Sequence, residues 1–266
     1  MKIFVTYTFR NKEERDAFYQ TIRDNHIQEL SLLDEGCLKY SYTPIDDTVL
    51  YLQEDWVSEE LQLKHLKQPH MDILKQLKKQ YSCQTTVRHG TAYLETERLI
   101  LREFKIEDAA DMYHHWANDE KVTRYLTWLP HQSIEDTKQL LAFWIKLYEK
   151  GDSYNWGIVV KEKSILIGSI SVTKIDQKTN TVEIGYCIGQ AYWGQGYVAE
   201  ALKEVISYLF KEGYDLVRAR HDKNNPHSGR VMQKAGMKYE GTFRKYGKNN
   251  QGVVDDVVYS ILPEEL

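Results

Sequence analysis

The sequence predicts two domains that each combine helices with strands. The first is an α+β plait over residues 1–90, and the second is a mixed, mostly antiparallel sheet with helices over residues 91–266. The chain has 266 residues, and a typical domain takes about 150. Apolar residues recur with period two in some segments and near 3.6 in others, as strands and amphipathic helices require. Only one of the 6 tryptophans, Trp56, precedes residue 90, so the two parts also differ in composition.

In the first domain, residues 3–9 alternate apolar and polar side chains, the pattern of a half-buried strand. Asn11 is a suitable N-cap for the helix that follows. Two apolar runs around the turn at 44–47 predict a hairpin. A helical stretch with a break at Pro69 then covers 58–80, and a last strand completes the domain. This order predicts a ferredoxin-like plait.

The second domain opens with a strand over 98–102 and two helical stretches near 107–118 and 133–149. The later elements are strands 156–160, 165–175 and 181–188, a glycine loop, a helix to about Gly213, a strand 216–221, a short helix 226–234 and a hairpin to Leu262. The turns between the three consecutive strands are too short for a crossover, so those strands pair antiparallel. A mixed sheet is therefore expected.

Composition and charge exclude several functions. Lys and Arg number 35 and Asp and Glu 39, and the net charge of −4 is too mild to predict a nucleic-acid or membrane-surface partner. The mean hydropathy is −0.58, and no apolar run approaches the length of about 18 residues that a membrane span needs. The first residues do not resemble a signal peptide. Cys37, Cys83 and Cys187 predict neither a disulfide framework nor a zinc site. We expect a cytoplasmic protein.

The most informative segment is 189–201, which carries Gly194 and Gly196 between a strand and a long helix. Glycine lets successive backbone N–H groups converge, and the helix N-terminus adds positive potential, so the loop suits a diphosphate. An ordinary strand-to-helix turn is the alternative. A P-loop is excluded, because Tyr197 and Val198 stand where that motif has Lys and Ser or Thr.

A dinucleotide-binding fingerprint also matches in part. Gly194, Gly196 and Ala199 fit GxGxxA, and Asp222 ends the next strand, where an acidic ribose ligand would stand. That fingerprint places its first glycine directly after a buried parallel strand. Here antiparallel strands precede the loop and two bulky aromatic residues intervene, which disfavours a nicotinamide cofactor.

Several segments of the second domain carry a family resemblance. In chain order they are 94–102, 167–170, 183–188, 192–197, 225–228 and 234–237, followed by 240–241. Together they resemble the GNAT superfamily of acyl-CoA-dependent N-acetyltransferases, and within it the branch of ribosomal-protein N-terminal acetyltransferases (RimJ/RimL-like). The resemblance spans about residues 92–263. It implies the GNAT fold, acetyl-CoA as co-substrate and acetyl transfer to an amine.

The resemblance also implies a set of site residues. In such enzymes the strand before the loop splays from its neighbour, and pantetheine pairs with its backbone, here at Tyr186, Cys187 and Ile188. The pyrophosphate would bind the amides of Trp193, Gly194, Gln195, Gly196, Tyr197 and Val198. Asn225 and Ser228 would contact the cofactor arm. Ala191 departs from the family, which usually has Gln or Arg at that position.

Acetyl transfer requires a neutral amine, yet free amines are largely protonated at neutral pH, so a base must accept a proton. Glu183 matches the carboxylate that this branch is thought to use, and a solvated carboxylate is the alternative. A backbone N–H near Cys187 or Ile188 would stabilise the oxyanion. Direct transfer is the superfamily's usual route, which disfavours Cys187 as a covalent nucleophile.

The proton donor and the acceptor stay open. Met232 stands where many members have a tyrosine acid, which leaves Tyr186, Ser228 or water to protonate the thiolate. The acceptor is a protein N-terminal amine, as the branch implies, or a small amine. Trp128, in an aromatic segment, would line the acceptor groove, and a core position is its alternative. A CoA-binding regulatory protein without turnover is the alternative function.

Residues 1–88 resemble the antibiotic-biosynthesis-monooxygenase-like family through 54–56, 58–61, His65 and 69–70. That family shares a dimeric α+β barrel, so the resemblance implies a homodimer formed by this domain. Oxygenase chemistry and small-molecule binding are alternatives, because the fold hosts many activities. Two histidines alone rarely hold a metal, so we expect no metal at His65 and His70.

Overall fold

The computed structural model describes residues 2–89, 91–150 and 153–266. Two compact units divide the chain, Met1–Ala92 and Tyr93–Leu266. None of the helices within the described ranges combines the length and the hydropathy of a bilayer-crossing segment.

The N-terminal unit is a four-stranded sheet covered by helices. Its elements are β1 (Lys2–Thr8), α1 (Lys12–Asp24), α2 (Ile27–Leu33), β2 (Cys37–Pro44), β3 (Val49–Trp56), α3 (Glu59–His65), α4 (Pro69–Gln80) and β4 (Gln84–His89). The strand order is β2-β3-β1-β4, and every neighbouring pair is antiparallel. Phe18 and Ile22 of α1 and Leu74 of α4 pack with strand residues such as Val5 and Leu50 to form the core.

Both helical stretches of this unit are interrupted. The side chain of Asn11 accepts a hydrogen bond from the N–H of Glu14 at 2.9 Å, as expected of an N-cap. His26, with a φ of 52°, then separates α1 from α2. The second break falls before Pro69, as predicted, because proline has no N–H to donate and is tolerated only in the first turn of α4.

The C-terminal unit is built on an eight-stranded sheet. Its elements are β5 (Leu94–Glu95), β6 (Leu99–Arg102), α5 (Ala109–Met112), α6 (Glu120–Thr123), α7 (Ile134–Lys150), β7 (Asn155–Val160), β8 (Ile165–Asp176), β9 (Thr181–Ile188), α8 (Tyr197–Lys211), β10 (Leu216–Asp222), α9 (Pro226–Lys234), β11 (Lys238–Asn249) and β12 (Gly252–Ile261). The strand order is β11-β12-β10-β9-β8-β7-β6-β5. Among the described strands of this sheet, only β9 and β10 pair in parallel. The prediction of a mixed, mostly antiparallel sheet is confirmed.

The helix predicted over 107–118 is irregular instead. A 3₁₀ turn at Ile106–Asp108 precedes α5, and a π-helical turn at Tyr113–Ala117 follows it. The N–H of Asn118 donates to the carbonyl of Tyr113 at 3.2 Å, the spacing of a π-helix. Met112 and Trp116 both lie in the core, so packing of large side chains overrides the regular helix that local periodicity predicts.

Helices cover both faces of the larger sheet. Successive side chains of a strand point to opposite faces. Cys187 of β9 packs with the core that includes Trp116 and Leu141, whereas its neighbour Tyr186 contacts Ser228 of α9. α5 and α7 therefore lie on one face, and α9 lies on the other with α8 beside it.

Candidate active site

β9 and β10 pair over only part of their length. The parallel ladder joins residues 181–184 to 216–219. Beyond it, among the described residues, 185–188 pair with β8 alone and 220–222 with β12 alone. The two strand ends separate into a notch, and among the described residues no strand pairs with the backbone groups on its inner edges. An extended ligand with amide groups, such as the pantetheine of CoA, can pair with such an edge.

The backbone of β9 presents alternate residues to this notch. The N–H of Gly189 donates to the carbonyl of Ile167 in β8 at 2.9 Å. Because hydrogen-bonded and non-hydrogen-bonded pairs alternate along an antiparallel ladder, Cys187 also turns its backbone toward β8, and Tyr186 and Ile188 turn theirs into the notch. Of the three residues predicted to pair with pantetheine, Tyr186 and Ile188 therefore turn their backbone groups to the notch, and Cys187 turns its own to β8.

The glycine loop ends directly at the first turn of α8. Gly194 has a φ of 75° and Gly196, the N-cap, a φ of 85°, backbone conformations that side chains with a Cβ rarely adopt. Within the described ranges, the N–H groups of residues 194–198 have no hydrogen-bond acceptor. These unpaired donors and the helix N-terminus form a site for an anionic group such as a diphosphate.

Two side chains of the loop stabilise it by donating hydrogen bonds to backbone carbonyls. The indole N–H of Trp193 donates to the carbonyl of Ile188 at 2.9 Å, and the amide of Gln195 donates to the carbonyl of Ala191 at 3.0 Å. Trp193 and Gln195 were predicted to bind the ligand through their backbone N–H groups. Their side chains have a second role, because they stabilise the turn that positions those groups. The sequence did not identify this role, because both bonds arise only after the loop has folded.

Arg98, which directly precedes β6, also holds the glycine loop, a role that the sequence did not indicate. Its guanidinium bonds the carboxylate of Glu200 in α8 at 2.7 Å and the carbonyl of Gln195 at 3.1 Å. It also lies 4.5 Å from the ring centre of Tyr197, within the range of a cation–π contact. Arg98 thus fastens the loop and the first turn of α8 to the start of β6.

A depression of about 460 Å³ lies beside this first turn. Glu97, Gly196, Ala199, Glu200, Lys203 and Lys234 line it. Lys203 and Lys234 place two cationic side chains next to the unpaired amides, which suits the phosphates of CoA. The notch, the loop and this depression together fit an extended thioester with a diphosphate. When bound, acetyl-CoA would supply the acetyl group as a thioester.

Asp222 is the candidate ribose ligand of the dinucleotide alternative, but its carboxylate forms hydrogen bonds within the protein. Its side chain is buried and accepts hydrogen bonds from the backbone of Asn224 and the side chain of Asn249, each at 2.8 Å. Both carboxylate oxygens are therefore occupied within the fold. This geometry removes the structural support for a nicotinamide dinucleotide.

Glu183 lies at the base of the notch, one residue before the last pair of the parallel ladder. Its Oε1 accepts from Nε of Arg220 at 2.8 Å, and Arg220 also donates to Asp256 at 2.7 Å. Burial lowers the pKa of Arg220, but the two carboxylates outweigh it and the net shift is upward. The side chain of Glu183 is only 15% exposed, so it is not a freely solvated carboxylate. No described residue donates to Oε2.

A second cavity, of about 320 Å³, contains Glu183 in its wall. Arg218, Arg220, Glu240, Phe243 and Tyr246 also line it. Phe243 and Tyr246 are half-exposed, and their ring centres lie 5.3 Å apart. The sequence did not indicate a functional role for these aromatic residues, because it predicted this segment only as part of a terminal hairpin.

Trp128, the residue predicted to contact the acceptor, is not in the wall of this cavity. It is partly buried against the core of the α5–α7 face, and its carbonyl accepts from the side chain of Asn250 at 2.9 Å. Its ring faces His131, with ring centres 5.4 Å apart. The structure thus gives Trp128 the core position that was its alternative.

The two candidate proton donors other than water lie together on the α9 face. The hydroxyl of Tyr186 donates to the carbonyl of Ser228 at 2.8 Å, and the hydroxyl of Ser228 donates to that of Tyr186 at 2.9 Å. Burial raises the pKa of Tyr186, so it stays protonated at neutral pH. Asn225 begins α9 beside the end of β10, and its N–H donates to the carbonyl of Asp222 at 2.7 Å.

Cys187 carries a neutral thiol. Burial raises the pKa of Cys187 to about 11, and its sulfur lies 3.2 Å from the hydroxyl of Ser169. The thiolate is the nucleophilic form of cysteine. A thiol with this pKa is almost wholly protonated near pH 7, which argues against a covalent acetyl-cysteine intermediate.

Comparisons with known proteins agree with this geometry. A family profile described as "Acetyltransferase (GNAT) domain" matches residues 98–238. The chain is 35% identical over 170 residues to the uncharacterized N-acetyltransferase YoaA of Bacillus subtilis, covering 64% of this chain and 96% of that protein. It is 29% identical over 132 residues to the ribosomal-protein-serine acetyltransferase of Escherichia coli, covering 48% of this chain and 72% of that protein.

A solved structure gives the same result. The crystal structure of an acetyltransferase (GNAT family) from Bacillus anthracis superposes with a TM-score of 0.58 at 28% identity, covering 65% of this chain and 100% of that one. The matched share corresponds in size to the C-terminal unit, which contains the notch and the glycine loop. The chain belongs to the GNAT acetyltransferases and is an acetyl-CoA-dependent N-acetyltransferase.

Proposed function

We propose that this enzyme transfers the acetyl group to a primary amine by direct attack on the thioester, with Glu183 as the base. The observation that carries the proposal is the position of Glu183 at the base of the notch and in the wall of the 320 Å³ cavity. Arg220 fixes one carboxylate oxygen, and the other has no donor among the described residues. A proton from the attacking amine therefore has an acceptor in place, directly or through one water.

The reaction balances with the residues at hand. The amine nitrogen bonds to the thioester carbon, the C–S bond breaks, the amine proton passes to Glu183, and the CoA thiolate gains a proton. The N–H of Ile188 points into the notch and is our candidate for the oxyanion donor. Ser228 and Tyr186, which exchange hydrogen bonds, are candidates for the thiolate's proton donor.

The acceptor is a primary amine that enters by the cavity of Glu183, Phe243 and Tyr246. We propose a protein N-terminal α-amine as its first candidate and a small amine as its second. The name of the Escherichia coli relative, a ribosomal-protein-serine acetyltransferase, supports this order. Initial rates with short peptides that begin with serine or alanine, compared with a polyamine, test it. A higher kcat/KM for the polyamine would reverse the order.

Replacing Glu183 tests the base. Glu183→Gln keeps the hydrogen bond from Arg220 but cannot accept a proton, so we expect kcat to fall about 10²- to 10⁴-fold, the usual contribution of a general base. The dissociation constant for acetyl-CoA, measured by calorimetry, should stay within about twofold. Glu162→Gln, at an exposed turn after β7, is the matched control with unchanged kcat. Equal kcat in both variants would remove Glu183 from the mechanism.

We further infer that the N-terminal unit is a ferredoxin-like plait that pairs with a second copy as a dimeric α+β barrel. Its strand order β2-β3-β1-β4 with antiparallel neighbours supports the plait, and the division at Ala92 and Tyr93 supports a domain boundary near residue 90. Light scattering of the full chain should give twice 31.3 kDa. A monomer at micromolar concentration would contradict the pairing.

A further inference from the structure

The N-terminal unit contains a buried cluster of two histidines and an aspartate. Asp34 follows α2, His65 ends α3, and His70 lies in the first turn of α4. Each offers one ligand atom, and the three atoms lie within 4.8 Å of one another. Thirty-one positions separate Asp34 from His65. The sequence therefore showed only the two histidines, and folding supplies the third ligand.

The contacts within the cluster are close but incompletely satisfied. Nδ1 of His65 lies 2.6 Å from Oδ2 of Asp34, a hydrogen bond. Nε2 of His70 lies 3.1 Å from the same oxygen, yet it forms no aligned hydrogen bond with any described residue. The side chain of His70 is only 8% exposed. A buried ring nitrogen that lies beside a carboxylate without an aligned hydrogen bond to it is a position where a cation can bind.

The chemistry of the three side chains also suits a cation. An imidazole nitrogen that carries no proton has a lone pair to donate, which metal binding requires. Asp34 supplies a negative charge at 15% side-chain exposure, and this charge offsets part of that of a divalent ion.

We propose that Asp34, His65 and His70 bind one divalent first-row transition metal ion. Two imidazoles and one carboxylate form a donor set that accepts Fe²⁺ or Zn²⁺. Metal–ligand bonds of about 2.0–2.2 Å place neighbouring ligand atoms roughly 3.3 Å apart in a tetrahedron. Two of the observed separations, 2.6 and 3.1 Å, are close to this value, and all three ligand atoms lie within 4.8 Å of one another. Any proton on the coordinating nitrogen of His65 is released when the ion binds.

Three protein ligands leave at least one coordination position open, the arrangement of metal sites that also bind water or a small ligand. The site belongs to the N-terminal unit and uses no residue of the acetyltransferase centre. Its failure would leave the assignment of acetyl transfer unchanged.

Calorimetry with zinc sulfate tests the proposal, using the full chain without a polyhistidine tag after treatment with a chelator. We expect saturable binding of one ion per chain and a rise in Tm as zinc is added, because a ligand that binds only the folded state stabilises it. Asp34→Asn and His70→Gln should each weaken binding by at least about tenfold, the lower end of what even outer-shell changes cause.

Three matched variants give the comparison. Asp72→Asn changes an exposed carboxylate in the same helix as His70, and His114→Gln changes an exposed histidine of the other unit. Both should bind zinc as the wild type does. Cys37→Ser removes the thiol nearest in sequence to Asp34 and should also retain binding.

Each contrary result overturns the proposal. Wild-type protein that binds no zinc at micromolar concentration shows that the cluster is only a hydrogen-bonded contact between α2 and the α3–α4 turn. Loss of binding in Cys37→Ser with retention in Asp34→Asn identifies a thiolate site instead. If Asp34→Asn fails to fold, His70→Gln, which leaves the bond between Asp34 and His65 in place, provides the same test.

Discussion

Gly196 offers a direct test of the proposed diphosphate loop, because a matched glycine lies at the other end of the same helix. Gly196 begins α8 with a φ of 85°, and Gly213 follows α8 with a φ of 90°. A Cβ added at Gly213 meets no atom within 4 Å, and one added at Gly196 meets only the guanidinium of Arg98 at 3.5 Å. Replacing either glycine by alanine therefore introduces backbone strain with little steric overlap.

The two variants should lose similar stability but different ligand affinity. An L-residue in the left-handed region is destabilised by about 1–2 kcal/mol, so each variant should show a slightly lower Tm. Relaxation of that strain in Gly196→Ala turns loop amides away from the phosphates. Loss of one hydrogen bond to a charged group removes about 1.5–3 kcal/mol. At 1.36 kcal/mol per factor of ten, the dissociation constant for acetyl-CoA should rise about 10- to 150-fold.

Calorimetric titration with acetyl-CoA and a thermal melt of each variant measure both quantities. Gly213→Ala should bind acetyl-CoA as the wild type does, despite its lower Tm. If both variants keep wild-type affinity while both lose stability, the loop does not hold the diphosphate. If both lose affinity equally, the effect arises from general destabilisation of α8.

Three further results are expected. Phe243→Ala should raise the KM for the amine severalfold without changing acetyl-CoA affinity, whereas Trp128→Phe should lower Tm and leave that KM unchanged; the reverse pattern would return the acceptor groove to Trp128. Ser228→Ala should lower kcat by about 10²-fold, the lower end of the contribution of a general acid, if the hydroxyl pair protonates the thiolate, and an unchanged kcat would assign that step to water. Burial raises the pKa of Cys187 to about 11, whereas the pKa of an unfolded thiol is about 8.5. The neutral thiol therefore contributes its full stability below about pH 8.5, and this contribution is lost as the pH rises toward 11. The difference in unfolding free energy between wild type and Cys187→Ala, measured in urea at pH 7.5 and 10.5, should therefore shrink at the higher pH, and a constant difference would contradict the shift.

The sequence predicted those features of the site that local chain chemistry determines. Gly194 and Gly196 mark left-handed backbone at a helix start, and the short turns between β7, β8 and β9 require antiparallel pairing. It also predicted the mixed sheet of the C-terminal unit. The helix breaks were harder to foresee. Pro69 predicts the break before it, because proline has no N–H to donate. His26 adopts a positive φ that its residue type does not predict.

Pairs of residues that are far apart in the chain escaped prediction for a physical reason. Arg98 and Glu200 are 102 positions apart, and Glu183 and Arg220 are 37 apart. Each partner alone is typical of a solvated surface charge, which was the alternative interpretation of Glu183. Only the register that sets Glu183 opposite Arg218 brings the side chain of Glu183 beside Arg220. The direction in which Cys187 turns its backbone follows from register in the same way.

The ion pairs of Arg220 with Glu183 and Asp256 link the strands that form the base of the notch. The parallel ladder ends just after Glu183, so the strands begin to part at the point where a carboxylate is held by Arg220. Arg220 also holds Asp256 of β12, and so joins β9, β10 and β12 across the base of the notch. A notch that opens between two strands needs such a connection below it, because the backbone bonds that would otherwise hold β9 to β10 are absent above. Glu183 thus contributes to the rigidity of the site through one oxygen, and the other oxygen is the one that our proposal assigns to the amine.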